Sequence, residues 1–258
     1  MSVRSIKIMP APCIHCFNPA GETKDHVFPK SWYPDTTGED VQRPTAPCCK
    51  PCNKRFGNMG NALLQKLGLC VDRRKEEASG IAAKALRAVG VGVESELSEK
   101  EKRIRAKLKA KLLKEAITYG EIKGDLTDKS GVLPGFGLHA GFEPDSQMVV
   151  FADQQMMKEV CGKIIRGLEH YVAGRYVKSP YRLDVFFIKD EDIGKVGLQF
   201  GPPELYLGPG FQVQRMAAVD GPENVIYRIR IWNTWFVHGT VIIDEPSVQG
   251  AAPDAVSA

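Results

Sequence analysis

The spacing of apolar residues changes along the chain. NALLQKLGL (Asn61–Leu69) and GIAAKALRAVG (Gly80–Gly90) repeat them at intervals of three and four, with glycines at or near the ends, and predict two helices. SEKEKRIRAKLKAKLLKEAITYG (Ser98–Gly120) predicts a third, with Ser98 and Glu101 as a capping box and Ile104, Leu108, Leu112 and Leu113 as its apolar stripe. DQQMMKEVCGKIIRGLEHYVAGRYV (Asp153–Val177) predicts a fourth, with Met157, Val160, Cys161, Ile164, Ile165, Leu168 and Val172 at i, i+3, i+4 spacing. Beyond it the pattern turns β-branched and aromatic. RLDVFFI (182–188), GFQVQRMAAV (210–219) and NVIYRIRIWNTWFVHGTVII (224–243), bounded by Gly, Pro and Asp, predict strands.

The first 70 residues lack long apolar runs and are rich in Cys, Pro, Gly and Asn. A segment this small needs a staple to hold its fold. The chain therefore divides into a stapled N-terminal unit (1–70), a helical connector carrying the basic helix (71–130) and a C-terminal α+β domain (131–258). The expected fold class is α+β. Lys123–Gly137, rich in Gly, Pro and Asp, is expected to be a linker, and SVQGAAPDAVSA at the end a disordered tail.

With 258 residues, 43% of them hydrophobic and 26% charged, the composition is that of a globular protein. The formal net charge is +4, compatible with a polyanionic partner without pointing to one. The charge is not evenly spread. Glu99–Lys114 holds eight Lys or Arg against two Glu, a local +6. No run of eighteen or so apolar residues exists and the N-terminus lacks a signal-peptide core, so a cytoplasmic protein without a membrane partner is expected.

Seven cysteines are present. Cys13-Ile-His-Cys16 and Cys49-Lys-Pro-Cys52 are two CxxC turns, and two such turns supply the four thiolates of a structural zinc site. Cys48 could stand in for Cys49, although the CxxC spacing favours Cys49 and Cys52. His15 is read as an exposed loop residue, and Cys70 and Cys161 as core. Trp32, Trp232 and Trp235 are read as packing residues, and the histidines of the second half as surface or core.

Between the two CxxC turns lies DHVFPKS (Asp25–Ser31), and the second turn is followed directly by Asn53. This order, C-x2-C, DHVFPKS, C-x2-C-N, resembles the HNH endonucleases, whose core is a ββα-metal unit. The resemblance covers Cys13 to Gly57. It implies a zinc-stapled ββα unit in which His26 is the general base. Asp25 and Asn53 would then hold a catalytic Mg²⁺ or Mn²⁺, with nucleic acid, DNA before RNA, as substrate. Two positions depart from the family pattern. Pro44 stands where an Asn often steadies the loop behind the histidine, and Gly60 where relatives carry an acid. By analogy alone, host defence or a mobile element would be the setting.

The residue types suit that chemistry on their own terms. A histidine titrating near neutrality can take a proton from water, and a hard cation held by few protein ligands can stabilise a phosphoryl transition state. Lys24, Lys30, Lys50, Lys54 and Arg55 flank the pair, and Lys102, Arg105 and Lys109 stud the basic helix; all are candidate phosphate contacts. A protein partner or a second copy could use the C-terminal domain. The alternative reading is a zinc-dependent nucleic-acid or protein binding module whose nuclease centre has decayed. A redox role for CKPC fits poorly with two paired CxxC turns.

Overall fold

A computed structural model describes residues 11–19, 21–93, 96–118, 148–150, 153–188, 205–218 and 221–244. The expected linker and the C-terminal tail lie outside these residues. The fold is mixed α+β. Strands β1 (Thr23–His26) and β2 (Thr45–Cys48) pair antiparallel, with Asp25 opposite Ala46 and His26 opposite Thr45. Helix α1 (Lys50–Leu67) follows β2 at once, with a proline in its first turn where no N–H partner is needed. It is longer than the 61–69 pattern, because its first turns carry Cys52, Asn53 and charged residues rather than an apolar stripe.

The short helix α2 (Ile81–Ala88) packs on α1, and α3 (Glu99–Glu115) follows. The α3 capping box is present: the Ser98 N–H donates to Glu101 Oε2 at 3.0 Å, and the Glu101 N–H faces Ser98 Oγ at 3.4 Å. Its stripe is only partly used. Leu112 is buried, but Ile104 and Leu113 are 50% and 65% exposed, so this helix does not bury the face expected of it. It also stops earlier than expected. Ala116–Thr118 leaves the helix as β3, paired with β4 (Met148–Val150).

Helix α4 (Gln154–Ala173) is capped by Asp153, whose carboxylate accepts the Met156 N–H at 2.9 Å, and ends on Gly174 at φ 63°. The C-terminal strands form one antiparallel sheet in the order β5 (Tyr181–Phe186), β9 (Trp235–Ile243), β8 (Val225–Ile231), β7 (Phe211–Ala217), β6 (Leu205–Tyr206). The single run expected over 224–243 is thus a hairpin, turned at Trp232 and Asn233, both at φ 52°. Left-handed backbone is unusual for tryptophan, and packing holds it there. Trp232 Nε1–H donates to the Trp32 carbonyl at 2.7 Å, and the Trp232 ring lies 5.3 Å from that of Trp32. All three tryptophans are buried, as expected of packing residues.

One hydrophobic core runs from the loop after β1 (Val27, Phe28, Trp32, Tyr33) through α1 and α4 to the five-stranded sheet. Phe28 stacks on Phe211 with ring centroids 4.1 Å apart. α4 joins the two sides and is buried nearly all round, as a helix between two layers must be. One of its glycines makes the approach possible. A Cβ on Gly167 would come within 2.9 Å of Val27. At its far end, Glu169 is fully buried and neutralised by Arg175 at 2.6 Å and Arg215 at 2.9 Å, with the Tyr227 hydroxyl donating to it. No helix among the described residues is long and apolar enough to cross a membrane.

Candidate metal centre and the Asp25-His26 strand

The first CxxC turn precedes β1, and the second runs from the N-cap of α1, Cys49, into its first turn. The Cys13 and Phe17 loop closes on itself, and Ile14 N–H donates to the Pro47 carbonyl at 3.1 Å, which docks the first turn on β2. This brings the sulfurs of Cys13, Cys16, Cys49 and Cys52 within 4.8 Å of one another. Cys16 and Cys49 Sγ are 3.6 Å apart. Thiolates bound at about 2.3 Å to a tetrahedral ion sit roughly 3.8 Å apart, so the four residues could hold a metal ion such as zinc. Burial pushes the Cys13 thiol up, but the backbone N–H groups of Cys49, Cys16 and His15 outweigh it and bring Cys13 down to about 7, favourable to a thiolate ligand. Cys48, the alternative considered for this set, belongs elsewhere. Its thiol is buried, which raises its pKa well above the ordinary value, and it donates to the Cys49 carbonyl at 3.4 Å.

Asp25 and His26 are neighbours on a strand, so their side chains leave on opposite faces. Asp25 turns inward and is buried. Its Oδ2 lies 3.2 Å from Lys163 Nζ and 3.5 Å from His15 Nε2. Burial raises the Asp25 pKa, but His15 and Lys163 prevail and hold it below the usual carboxylate value. His15 is not the exposed loop residue expected. Its side chain is 3% exposed and packs 4.6 Å from the Phe56 ring, because docking on β2 folds the first CxxC turn over it. Burial keeps the imidazole pKa below its ordinary value, so it is neutral in neutral solution.

His26 is half-buried at the end of β1, and its pKa is lowered, first by burial, then by the cations of Lys163, Lys30 and Arg43, against the pull of Asp25. The backbone around it is pinned from both sides. Lys163 Nζ donates to the carbonyls of His26 and Val27, the latter at 3.1 Å, and the Val27 N–H donates to the Pro44 carbonyl at 2.9 Å. Pro44 therefore steadies this loop through its own backbone. Asn53 sits in the first turn of α1 and ties it to β1: Nδ2 donates to Thr23 Oγ1 at 3.0 Å and lies 3.4 Å from the Lys24 carbonyl. Its Oδ1 takes no hydrogen bond among the described residues. Asp25 Oδ1 likewise takes no hydrogen bond among the described residues.

Gly60 does not face this site. It is buried, its carbonyl accepts from Trp32 Nε1 at 3.0 Å, and an added Cβ would meet Pro29 at 3.0 Å.

The basic residues separate into two groups. Lys50 pairs with Glu22 at 2.9 Å, Arg55 with Glu159, and Lys102 with Glu99 at 2.8 Å, while Arg105 donates to the Arg87 carbonyl. Lys24, Lys30, Lys54 and Lys109 are exposed and make no ion pair among the described residues.

Two residues that hold this site together, His15 and Lys163, were missed in the sequence. A lysine three residues after Val160 and four before Gly167, inside a helix apolar on every side, was the available signal for Lys163. Comparison with protein-family models, with curated proteins and with solved structures finds no match for this chain.

Proposed function

We propose that this protein is a metal-dependent endonuclease of the HNH type that hydrolyses phosphodiester bonds of nucleic acid, DNA in the first instance. The observation that carries this reading is the seating of His26. It lies half-buried at the end of a strand whose next two links to the protein, Lys163 and Pro44, hold the backbone rather than the ring. Its lowered pKa leaves it neutral near pH 7 and able to accept a proton from an attacking water.

Lys24, Lys30 and Lys54 would draw in the phosphate backbone without reading sequence. Asn53 and Asp25 Oδ1 would hold Mg²⁺ or Mn²⁺, which when bound offsets charge on the phosphoryl and leaving oxygens. The four-cysteine site would supply folding energy only, since four thiolates leave a zinc ion no open position.

A second reading has an observation of its own. Asp25 is buried and paired with an ammonium group, which disfavours a hydrated cation beside it. On that reading the chain is a zinc-dependent binding module with a decayed centre. The two separate in one assay: supercoiled plasmid with Mg²⁺, Mn²⁺ or EDTA, on wild type and His26→Ala. The nuclease reading expects divalent-dependent cutting that falls by about 10²-fold or more in His26→Ala, with the fold intact. Wild-type protein that binds plasmid and cuts it in no metal overturns it in favour of the binding module.

A further inference from the structure

Behind the four-cysteine site lies a second set of donors. Consecutive residues of the same segments alternate between the two: Cys13, Cys16 and Cys49 face the first, while His15 and Cys48 face inward toward Asp25. A nitrogen of His15, a carboxylate oxygen of Asp25 and the sulfur of Cys48 all lie within 4.8 Å of one another. We propose that His15, Asp25 and Cys48 bind a second transition-metal ion, Zn²⁺ by their donor chemistry, distinct from the four-cysteine site.

The hydrogen bonding of the group supports this. The His15 side chain is 3% exposed, yet neither ring nitrogen has a hydrogen-bond partner, while Asp25 Oδ2 has the Lys163 ion pair at 3.2 Å. A neutral imidazole carries one donor and one acceptor, and leaving both unmade in the interior is costly. Buried polar groups of a folded protein are nearly always satisfied, so a buried imidazole with both nitrogens unpaired, one of them within 4.8 Å of the Asp25 and Cys48 donors, calls for an occupant.

Spacing identifies that occupant. His15 Nε2 and Asp25 Oδ2 are 3.5 Å apart. That is long for a hydrogen bond, but nitrogen and oxygen donors at about 2.0–2.1 Å from a tetrahedral ion stand roughly 3.3–3.4 Å from each other. The set of one sulfur, one nitrogen and one oxygen suits zinc and other borderline ions, and disfavours Mg²⁺ or Ca²⁺, which want oxygen alone. Lys163 Nζ, 3.2 Å from the same Asp25 oxygen, takes the place of the outer hydrogen-bond donor that ligating carboxylates usually have. Binding would release the proton that the Cys48 thiol gives to the Cys49 carbonyl.

The inference does not rest on the nuclease reading, because Asp25 Oδ2 alone is used and Oδ1 stays available. Its test uses no nucleic acid. The full-length chain, stripped of metal under reducing conditions, is titrated with Co²⁺ and followed by absorption. Two successive steps are expected. The first has the intense bands of a four-thiolate site, and the second, at a further equivalent, is weaker with a single sulfur-to-cobalt contribution. Elemental analysis of zinc-loaded protein should give two ions per chain, and His15→Gln and Cys48→Ser should each give one. A wild-type titration that ends after one equivalent overturns the proposal without any variant. So does a His15→Gln protein that still takes up two.

Discussion

Lys163 Nζ lies 3.2 Å from Asp25 Oδ2, with both side chains inside the protein, and so joins helix α4 to the strand that carries the candidate base. The same ammonium caps two carbonyls of that strand, at His26 and Val27. Burial alone lowers the Lys163 pKa, and Asp25 is what opposes it. Removing one partner of such a pair leaves the other buried and uncompensated. Lys163→Met should therefore cost about 3–5 kcal/mol in urea unfolding. Adding Asp25→Asn to it should cost less than the sum of the two single changes, which a double-mutant cycle measures. Strictly additive effects would show that the two groups do not interact.

Metal removal should act on the whole fold. The segment between the two CxxC turns contributes Val27, Phe28, Trp32 and Tyr33 to the common core, so loosening it exposes the sheet beneath. Chelation, or Cys49→Ser, should lower the thermal midpoint and expose Trp32 to solvent, seen as a red shift of tryptophan emission. A chelated protein with unchanged emission and midpoint would mean the four cysteines do not stabilise the fold through metal.

The four-cysteine cluster could be anticipated from the sequence because a CxxC turn is a local object, and so could the four helices, whose periods repeat within ten to twenty residues. What escaped depends on contacts across the chain. The turn at Trp232 and Asn233 carries no glycine, and its strained backbone is held by a hydrogen bond to Trp32, two hundred residues away. The α3 stripe had the right period, but Leu112 alone is buried, Leu108 is half-buried, and Ile104 and Leu113 stay exposed. His15 and Lys163 are polar residues made internal by Asp25, and no local pattern announces a partner that distant.

Gly60 offers a direct test of whether an acid could be accommodated there. A Cβ at this position meets the Pro29 ring at 3.0 Å, beneath the loop that leads out of β1. Gly60→Glu would add an unpaired carboxylate to the interior as well as displacing Pro29. It should destabilise the protein by roughly 2 kcal/mol or more and add no cleavage activity. Gly60→Ala should show a smaller loss, because it adds the clash without the charge.

The division among the basic residues predicts different results for neighbours in sequence. Lys54 is exposed and makes no ion pair among the described residues, whereas Arg55 pairs with Glu159 on α4 and lies 5.3 Å from the Phe56 ring centre. Reversing Lys24, Lys30 and Lys54 to Glu should weaken nucleic-acid binding alike for unrelated sequences and make its dependence on salt shallower, with little change in stability. Arg55→Ala should affect stability more than binding. If the triple reversal leaves both affinity and salt slope unchanged, this face does not contact phosphate.

Acid sensitivity should have a traceable part in His170. This residue lies near the end of α4, its ring 5.1 Å from that of Tyr176, and its Nδ1 is buried without a hydrogen-bond partner. Burial lowers its pKa from the usual 6.5. The folded state therefore favours the neutral ring and binds fewer protons than the unfolded chain over that interval. The resulting stabilisation is fully present above 6.5 and is lost as the pH falls through the lower, folded-state value. His170→Gln removes the titration while keeping a polar side chain of similar reach. Denaturant midpoints measured from pH 7.5 down to about pH 5 should fall less steeply in the variant than in the wild type. Parallel slopes would show that His170 titrates alike in the folded and unfolded states.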